Sequence, residues 1–162
     1  MTVHGHVDER FSALSEVLDA QLESGEELGA AISVNLGGQT LVDVWGGYAD
    51  AARTIPWGED TIVNVWSTTK EITALAILML VEQGLVDLDA PVATYWPEFA
   101  QHGKQDILVK QVMSHTSGVS GWAQPFVAEE MYDWEESTSQ LAAQAPWWEP
   151  GSASGYHAQN QG

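Results

Sequence analysis

The chain has 162 residues, of which 44% are hydrophobic and eight are tryptophan, a composition typical of one globular domain or of part of a larger one. Only 5 lysines and arginines oppose 23 aspartates and glutamates, so the formal net charge at pH 7 is −18 and the surface repels phosphate backbones and anionic lipids. Nucleic acid and membrane surfaces are therefore excluded as expected partners, and the absence of cysteine excludes disulfides, thiolate catalysis and cysteine-ligated zinc.

The N-terminal segment, residues 1–10, has no apolar stretch flanked by positive charge and so does not resemble a secretory signal. We therefore expect a cytoplasmic protein. His4 and His6 are two residues apart, as metal ligands can be, but no third ligand lies near them in the sequence. We interpret both as part of a solvated terminus, and we predict no metal and no cofactor.

Two elements are predicted in the first third of the chain. Residues 8–24 have helical periodicity, which predicts an amphipathic helix with an acidic outer face. Its apolar positions are Phe11, Leu14, Val17, Leu18 and Leu22. Residues 32–36 alternate apolar and polar side chains, Gly37-Gly38 supplies a turn, and residues 40–45 return. This period and this turn chemistry predict a β-hairpin.

The most apolar stretch of the chain is residues 72–81, which predict a central helix. Thr68 and Glu71 have the spacing of a capping box at its start, and Gly84 is a suitable C-terminal stop. Apolar side chains cover nearly the whole circumference of this helix, so we expect it to be buried on all sides. It is too short to cross a bilayer, which needs about 20 apolar residues.

Ser67 and Lys70 lie three residues apart at the start of the central helix. That spacing places the two side chains on one helix face, where a lysine with a lowered pKa can take the proton of a serine nucleophile. The positive end of the helix dipole also favours negative charge that develops there. The alternative is that Ser67 is a cap residue and Lys70 a solvated lysine. The strongly apolar helix that follows favours the catalytic interpretation.

Shorter elements are predicted beyond the central helix. Pro91 is expected to start a short helix over residues 92–96, because proline fits the first helical position. Residues 107–113 predict either a strand-like segment or a short helix. Weak helical periodicity marks residues 131–143.

A polar loop, residues 114–118, follows the second of these segments. Ser114 beside His115 allows a serine–histidine interpretation, but adjacent loop residues rarely face each other. No carboxylate lies nearby in the sequence to orient the imidazole. We therefore favour a structural loop.

Aromatic residues near the C-terminal end supply further site candidates. Tyr156 follows Gly155 in a small polar loop and, beside Ser67 and Lys70, would act as a base or pass a proton to the leaving group. The alternative is a packed tyrosine with a satisfied hydroxyl. A second group of aromatic residues is interpreted either as core or as the wall of an apolar acyl pocket; the substrate-binding candidates in it are Trp122, Tyr132 and Trp148.

Several of these features occur together in one known order. They are Ser67-Thr68-Thr69-Lys70, Gly84 to Val92, Ser114-His115-Thr116-Ser117-Gly118, Pro150-Gly151 and Gly155-Tyr156-His157. The series resembles the serine β-lactamase superfamily, nearest the class C-like branch that includes the family VIII carboxylesterases. The resemblance runs from the hairpin onward. It implies that Ser67 is the nucleophile, Lys70 the general base and Tyr156 a base and proton relay, with an oxyanion hole made partly by the Ser67 backbone N–H.

The resemblance also implies a fold. It is the α+β fold of β-lactamases and transpeptidases, an antiparallel sheet flanked by helices with a mostly helical region beside it. Residues 1–66 would form the N-terminal helix and first strands, and residues 67–162 the central helix and the start of the helical region. Family members are much longer, so we expect the fold to be incomplete in this chain. The remainder of the same protein would supply later strands and the second oxyanion donor.

The expected function is that of a serine carboxylesterase that cleaves small esters through an acyl-enzyme on Ser67. β-Lactamases of the family carry Tyr-x-Asn, whereas this chain has Tyr156-His157-Ala158, a departure that is compatible with the esterase branch. Hydrolysis of β-lactams or of D-amino-acid amides and peptides is the alternative activity. For this chain by itself, a non-catalytic fragment is the competing interpretation. The oligomeric state is not predicted.

Overall fold

The computed structural model describes residues 3–159 of the chain. They belong to two compact units, Met1–Asn64 and Val65–Gly162. Among the described residues, no helix is both long enough and apolar enough to cross a membrane.

The first unit contains a three-stranded antiparallel sheet. Its strands are β1 (Val3–Val7), β2 (Gly29–Leu36) and β3 (Gln39–Gly47), in the order β1-β3-β2. β2 and β3 form the predicted hairpin, which is thereby confirmed. Gly37 and Gly38 at its tip have φ of 58° and 81°, and a two-residue turn with the right twist for a hairpin needs left-handed backbone at both positions.

β1 was not predicted from the sequence. It pairs with β3, with His4 opposite Trp45 and His6 opposite Asp43. Both histidine side chains are exposed on this edge strand, in agreement with the interpretation of a solvated terminus. Two features hide this strand in the sequence. It is short and contains a glycine, and it forms only by pairing with β3, which lies far along the chain.

The predicted first helix is present. α1 (Ser12–Ser24) follows a 3₁₀ turn, Glu9–Phe11, and ends at Gly25 in the left-handed conformation. Its apolar face packs on the sheet around buried Leu18, Val42 and Val44. At its start, hydrogen bonds from the side chain and backbone N–H of Arg10 lower the pKa of Asp8 from 3.8 to about 2.

The second unit consists of helices and turns. Its α-helices are α2 (Thr69–Glu82), α3 (Val109–Met113) and α4 (Trp134–Ala143), and its 3₁₀ turns are Trp66–Thr68, Val92–Thr94, Pro97–Gly103 and Ala128–Tyr132. The core is built on Phe99, Ile107 and Val119.

Both alternatives for residues 107–113 are partly realised. Leu108 forms an isolated antiparallel bridge with Pro91, and α3 begins at the next residue. The helix predicted after Pro91 is a single 3₁₀ turn, and the helical periodicity of residues 131–143 corresponds to α4.

α2 differs from its prediction in two respects. The capping box is absent, because Thr68 has helical backbone (φ −60°, ψ −24°) inside the preceding 3₁₀ turn, whereas a cap residue needs extended backbone. The expected burial on all sides is wrong as well, since no residue of α2 is buried and Ile72 is 64% exposed. The helix has the apolar surface of a buried element, but the other described residues of the second unit leave much of it exposed. Gly84, with φ of 72°, ends the helix as predicted.

The buried side chain of Lys104 binds the C-terminal end of α4 within the second unit. The Lys104 ammonium group is fully buried and donates to the carbonyls of Gln101, Ala142 and Gln144 at 3.0, 2.8 and 2.5 Å. Burial lowers the pKa of Lys104, while three carbonyl acceptors favour its charged form. The contact fixes the segment at which α4 ends, and this segment leads toward the loop that carries Tyr156.

Candidate active site

Ser67 lies in the 3₁₀ turn that leads directly into α2. The residue before it, Trp66, has a φ of 48°, in the left-handed region that non-glycine residues seldom adopt. The Ser67 side chain is exposed. The turn therefore presents the hydroxyl to solvent at the N-terminal end of a 14-residue helix, where the helix dipole and unpaired backbone N–H groups stabilise developing negative charge.

Lys70, in the first turn of α2, contacts this hydroxyl. Its Nζ donates to Ser67 Oγ at 3.4 Å, as the three-residue spacing predicts. The distance is at the long end of the hydrogen-bond range, and pairs of nucleophile and base are often this loose before substrate binds. The candidate nucleophile and its candidate base are thus in reach of each other.

Tyr156 reaches the same place from the far end of the second unit. Lys70 Nζ lies 5.6 Å from the centroid of its ring, and 60% of the tyrosine is exposed. An open cavity of about 230 Å³ is lined by Ser67, Lys70, Glu71, Ala74, His115 and Tyr156. All three residues predicted for catalysis therefore line one cavity.

The loop that carries Tyr156 is held against residues 114–118 by backbone hydrogen bonds. Trp147 N–H donates to the Gly118 carbonyl at 2.9 Å, Gly151 N–H to the Thr116 carbonyl at 2.7 Å, and Gly155 N–H to the His115 carbonyl at 2.9 Å. Gly155 is required sterically, because a Cβ there would lie 2.2 Å from the Trp148 ring. These contacts fix the backbone immediately before Tyr156.

His115 is a wall residue of the cavity that reasoning from the sequence placed in a structural loop. Its ring centroid lies 4.5 Å from that of Tyr156. Ser114, its neighbour, instead donates its hydroxyl to the Lys110 carbonyl at 2.7 Å. No local spacing in the sequence links His115 to Ser67. The one feature of the sequence that could have indicated its place in the cavity is the Ser-His-Thr-Ser-Gly motif.

The three predicted substrate-binding aromatics lie elsewhere in the second unit. Trp122 is buried and lines a separate cavity of about 150 Å³ with Met131, Trp134 and Leu141. Tyr132 is 87% exposed, and Trp148 packs on Gly155 and donates its indole N–H to the Ala153 carbonyl. None of the three lines the cavity at Ser67, and their role in binding stays a prediction.

The groups in the cavity suit acyl transfer. A hydroxyl, an amine and a phenol provide a nucleophile and two proton carriers, the combination that covalent catalysis through serine requires. Within residues 3–159, no group of three or more histidine, aspartate or glutamate side chains is arranged to hold a metal ion.

Comparison with protein-family models matches residues 14–162 to the Beta-lactamase family. Among curated proteins, the esterase/beta-lactamase LipL of Mycobacterium tuberculosis is 38% identical over 144 residues, which are 89% of this chain and 33% of that protein. Esterase EstB of Burkholderia gladioli is 36% identical over 67% of this chain and 29% of its own length. The chain thus spans about a third of the length of these relatives.

Solved structures agree with this result and confirm the expected α+β fold of β-lactamases and transpeptidases, of which this chain covers only part. A penicillin-binding protein homologue from Caulobacter crescentus superposes with a TM-score of 0.93 at 41% identity, over 100% of this chain and 44% of that one. A family VIII carboxylesterase superposes with a TM-score of 0.88, also at 41% identity, over 97% of this chain and 42% of its own.

Proposed function

Because the chain belongs to the Beta-lactamase family, we propose that it is the nucleophile-bearing part of a serine hydrolase that cleaves small carboxylic esters. The observation that carries the proposal is the contact of Lys70 Nζ with Ser67 Oγ at 3.4 Å, in a cavity that Tyr156 also lines. The choice of esters is supported by similarity to proteins named esterase and carboxylesterase.

The reaction runs in two steps. Lys70, together with Tyr156, takes the Ser67 proton while Oγ forms a bond to the ester carbonyl carbon. The Ser67 backbone N–H, at the positive end of α2, donates to the oxyanion. The C–O bond to the alcohol breaks, and the alkoxide receives the proton by way of Tyr156. Water then gives a proton to Lys70 and Tyr156 while its oxygen forms a bond to the acyl carbon. The bond from that carbon to Ser67 Oγ breaks, and Oγ takes up the proton as the carboxylic acid leaves.

Hydrolysis of β-lactams is a second candidate, because one relative is named both esterase and beta-lactamase. Turnover of short p-nitrophenyl esters and of nitrocefin, with a fluorophosphonate label for the serine, distinguishes the activities. Ester turnover with labelling supports the esterase. Nitrocefin turnover without ester turnover supports the alternative, and the absence of both activities and of labelling contradicts a serine hydrolase.

We also propose that the same protein contains further residues that cover α2. This chain together with those residues is called the complete protein. Much of the apolar surface of this helix is exposed. Leu75, Leu78 and Met79, for example, are 55%, 51% and 53% exposed. Exposed apolar surface costs about 25 cal/mol per Å², and contiguous patches drive association. The matches cover 33% and 29% of the relatives' lengths, so these proteins have many further residues that could cover such a surface.

Residues 1–162 expressed alone should accordingly be insoluble, molten or inactive, and should recover structure when the remainder is supplied in trans. Sedimentation, thermal unfolding and ester turnover measure this. Leu75→Gln with Met79→Gln should reduce association of the isolated segment, since both side chains lie on the exposed face. A monomeric, cooperatively unfolding and active 1–162 segment would contradict the proposal.

Tyr156→Phe in the complete protein should lower kcat by roughly 10²–10⁴-fold with little change in KM, because a proton carrier is lost while the ring stays. Steady-state ester kinetics measure the two constants. Tyr48→Phe, in the first unit and outside the cavity, is the matched control and should retain the parent kcat. An unchanged kcat in Tyr156→Phe would remove the phenol from proton transfer.

A further inference from the structure

His115 combines burial with an unusual backbone conformation beside the candidate catalytic residues. It follows α3, is only 9% exposed and has a φ of 58°. Left-handed backbone is unfavourable for a residue with a Cβ and persists where the surrounding structure fixes it. Glycine would adopt this conformation without strain, so the side chain itself is the feature that needs an explanation.

Two parts of His115 contact the segment that carries Tyr156. Its carbonyl accepts the Gly155 N–H at 2.9 Å, which fixes the backbone next to the tyrosine. Its imidazole lies against the phenol ring, with centroids 4.5 Å apart and planes tilted by 44°, in the range of a favourable aromatic pair. One residue therefore restrains both the backbone and the ring.

Tyr156 needs such a restraint. It is 60% exposed, and an exposed side chain changes rotamer within nanoseconds unless a neighbour holds it. Lys70 Nζ lies 5.6 Å from the centroid of the tyrosine ring, so modest rotation of that ring changes the distance between the phenol and the amine.

We propose that His115 is a positioning residue, whose imidazole holds the Tyr156 phenol in the geometry that proton transfer with Lys70 and Ser67 requires. The inference rests on the proposed function and deepens it. His115 acts through Tyr156 by ring packing, and its own nitrogens carry no proton of the reaction.

Three substitutions in the complete protein distinguish the contribution of the His115 ring from that of its backbone conformation. His115→Ala removes the ring, His115→Gly removes the ring and relieves the left-handed backbone, and His115→Phe keeps an aromatic ring without nitrogens. His115→Ala and His115→Gly should each lower kcat for p-nitrophenyl esters by about 10- to 100-fold with little change in KM, since small displacements of a catalytic group have effects of this size. His115→Phe should retain most of the parent kcat.

A matched control and a double substitution complete the test. His102 also has left-handed backbone (φ 54°) but is exposed and outside the cavity, so His102→Ala should retain the parent kcat. In a Tyr156→Phe background, His115→Ala should have little further effect, because residues that act as one unit are non-additive. A general structural defect would instead lower kcat in both backgrounds.

The inference is overturned if His115→Gly keeps the parent kcat, if His115→Phe is as damaging as His115→Ala, or if the effects of His115→Ala and Tyr156→Phe are additive. Ser67→Ala in the same assay tests the proposed function separately. An inactive Ser67→Ala beside a fully active His115→Gly contradicts only the positioning role, whereas an active Ser67→Ala contradicts the hydrolase mechanism itself.

Discussion

Ser67→Ala is expected to abolish ester turnover and covalent labelling of the complete protein while the fold is retained. In the proposed mechanism, the substitution removes the atom that forms the bond to the acyl group. Stability should change little, because Ser67 is exposed, and in the described residues its hydroxyl accepts a hydrogen bond from Lys70 but caps no helix. Loss of a true cap would cost about 0.5–2 kcal/mol. Steady-state ester assays, fluorophosphonate labelling and thermal unfolding measure the three quantities.

Ser139→Ala is the matched control for this change. Ser139 is also an exposed serine on a helix of the second unit, and its hydroxyl bonds the Glu136 carbonyl. It should keep parent turnover and labelling. Turnover near the parent rate in Ser67→Ala would show that the nucleophile has been assigned to the wrong residue.

Lys70→Arg should be nearly as damaging as Lys70→Ala, with a loss in kcat of about 10²–10⁴-fold for a missing general base. Guanidinium keeps the positive charge and can still reach toward Ser67, but it stays protonated at any working pH and so cannot accept the serine proton. Ester kinetics of the two variants beside the parent measure the effect. Comparison of Lys70→Arg with Lys70→Ala therefore shows whether Lys70 acts as a base or only through its positive charge.

The control for Lys70→Arg is Lys110→Arg. Lys110 is a half-exposed lysine that pairs with Asp89, and arginine can keep that ion pair. Its kcat should equal that of the parent. Substantial turnover in Lys70→Arg would assign Lys70 an electrostatic role. Tyr156 would then be the first candidate for the base among the other groups of the cavity.

Local patterns determined the elements whose contacts are close in sequence. The hairpin followed from the alternation around Gly37-Gly38, and α1 from its helical spacing, because both patterns report directly on backbone geometry. The contact between Ser67 and Lys70 followed from their three-residue spacing at a helix start. The family followed from the order of several motifs, and the comparisons confirm it.

Contacts between distant segments were decided only by the tertiary structure. β1 exists because β3 offers it a partner, Lys104 is buried because α4 supplies carbonyls for its charge, and His115 faces Tyr156 because hydrogen bonds between two loops bring them together. No local period encodes such pairings.

The central helix shows the division most clearly. The sequence of residues 72–84 by itself determined that a helix forms, where it ends and that its surface is apolar on nearly all sides. It did not determine whether that surface is covered, because burial depends on which other segments are present, and here Ile72 and Leu75 remain exposed. An apolar pattern indicates that a helix is stabilised by burial of its surface, and only the packed structure shows whether other segments bury it.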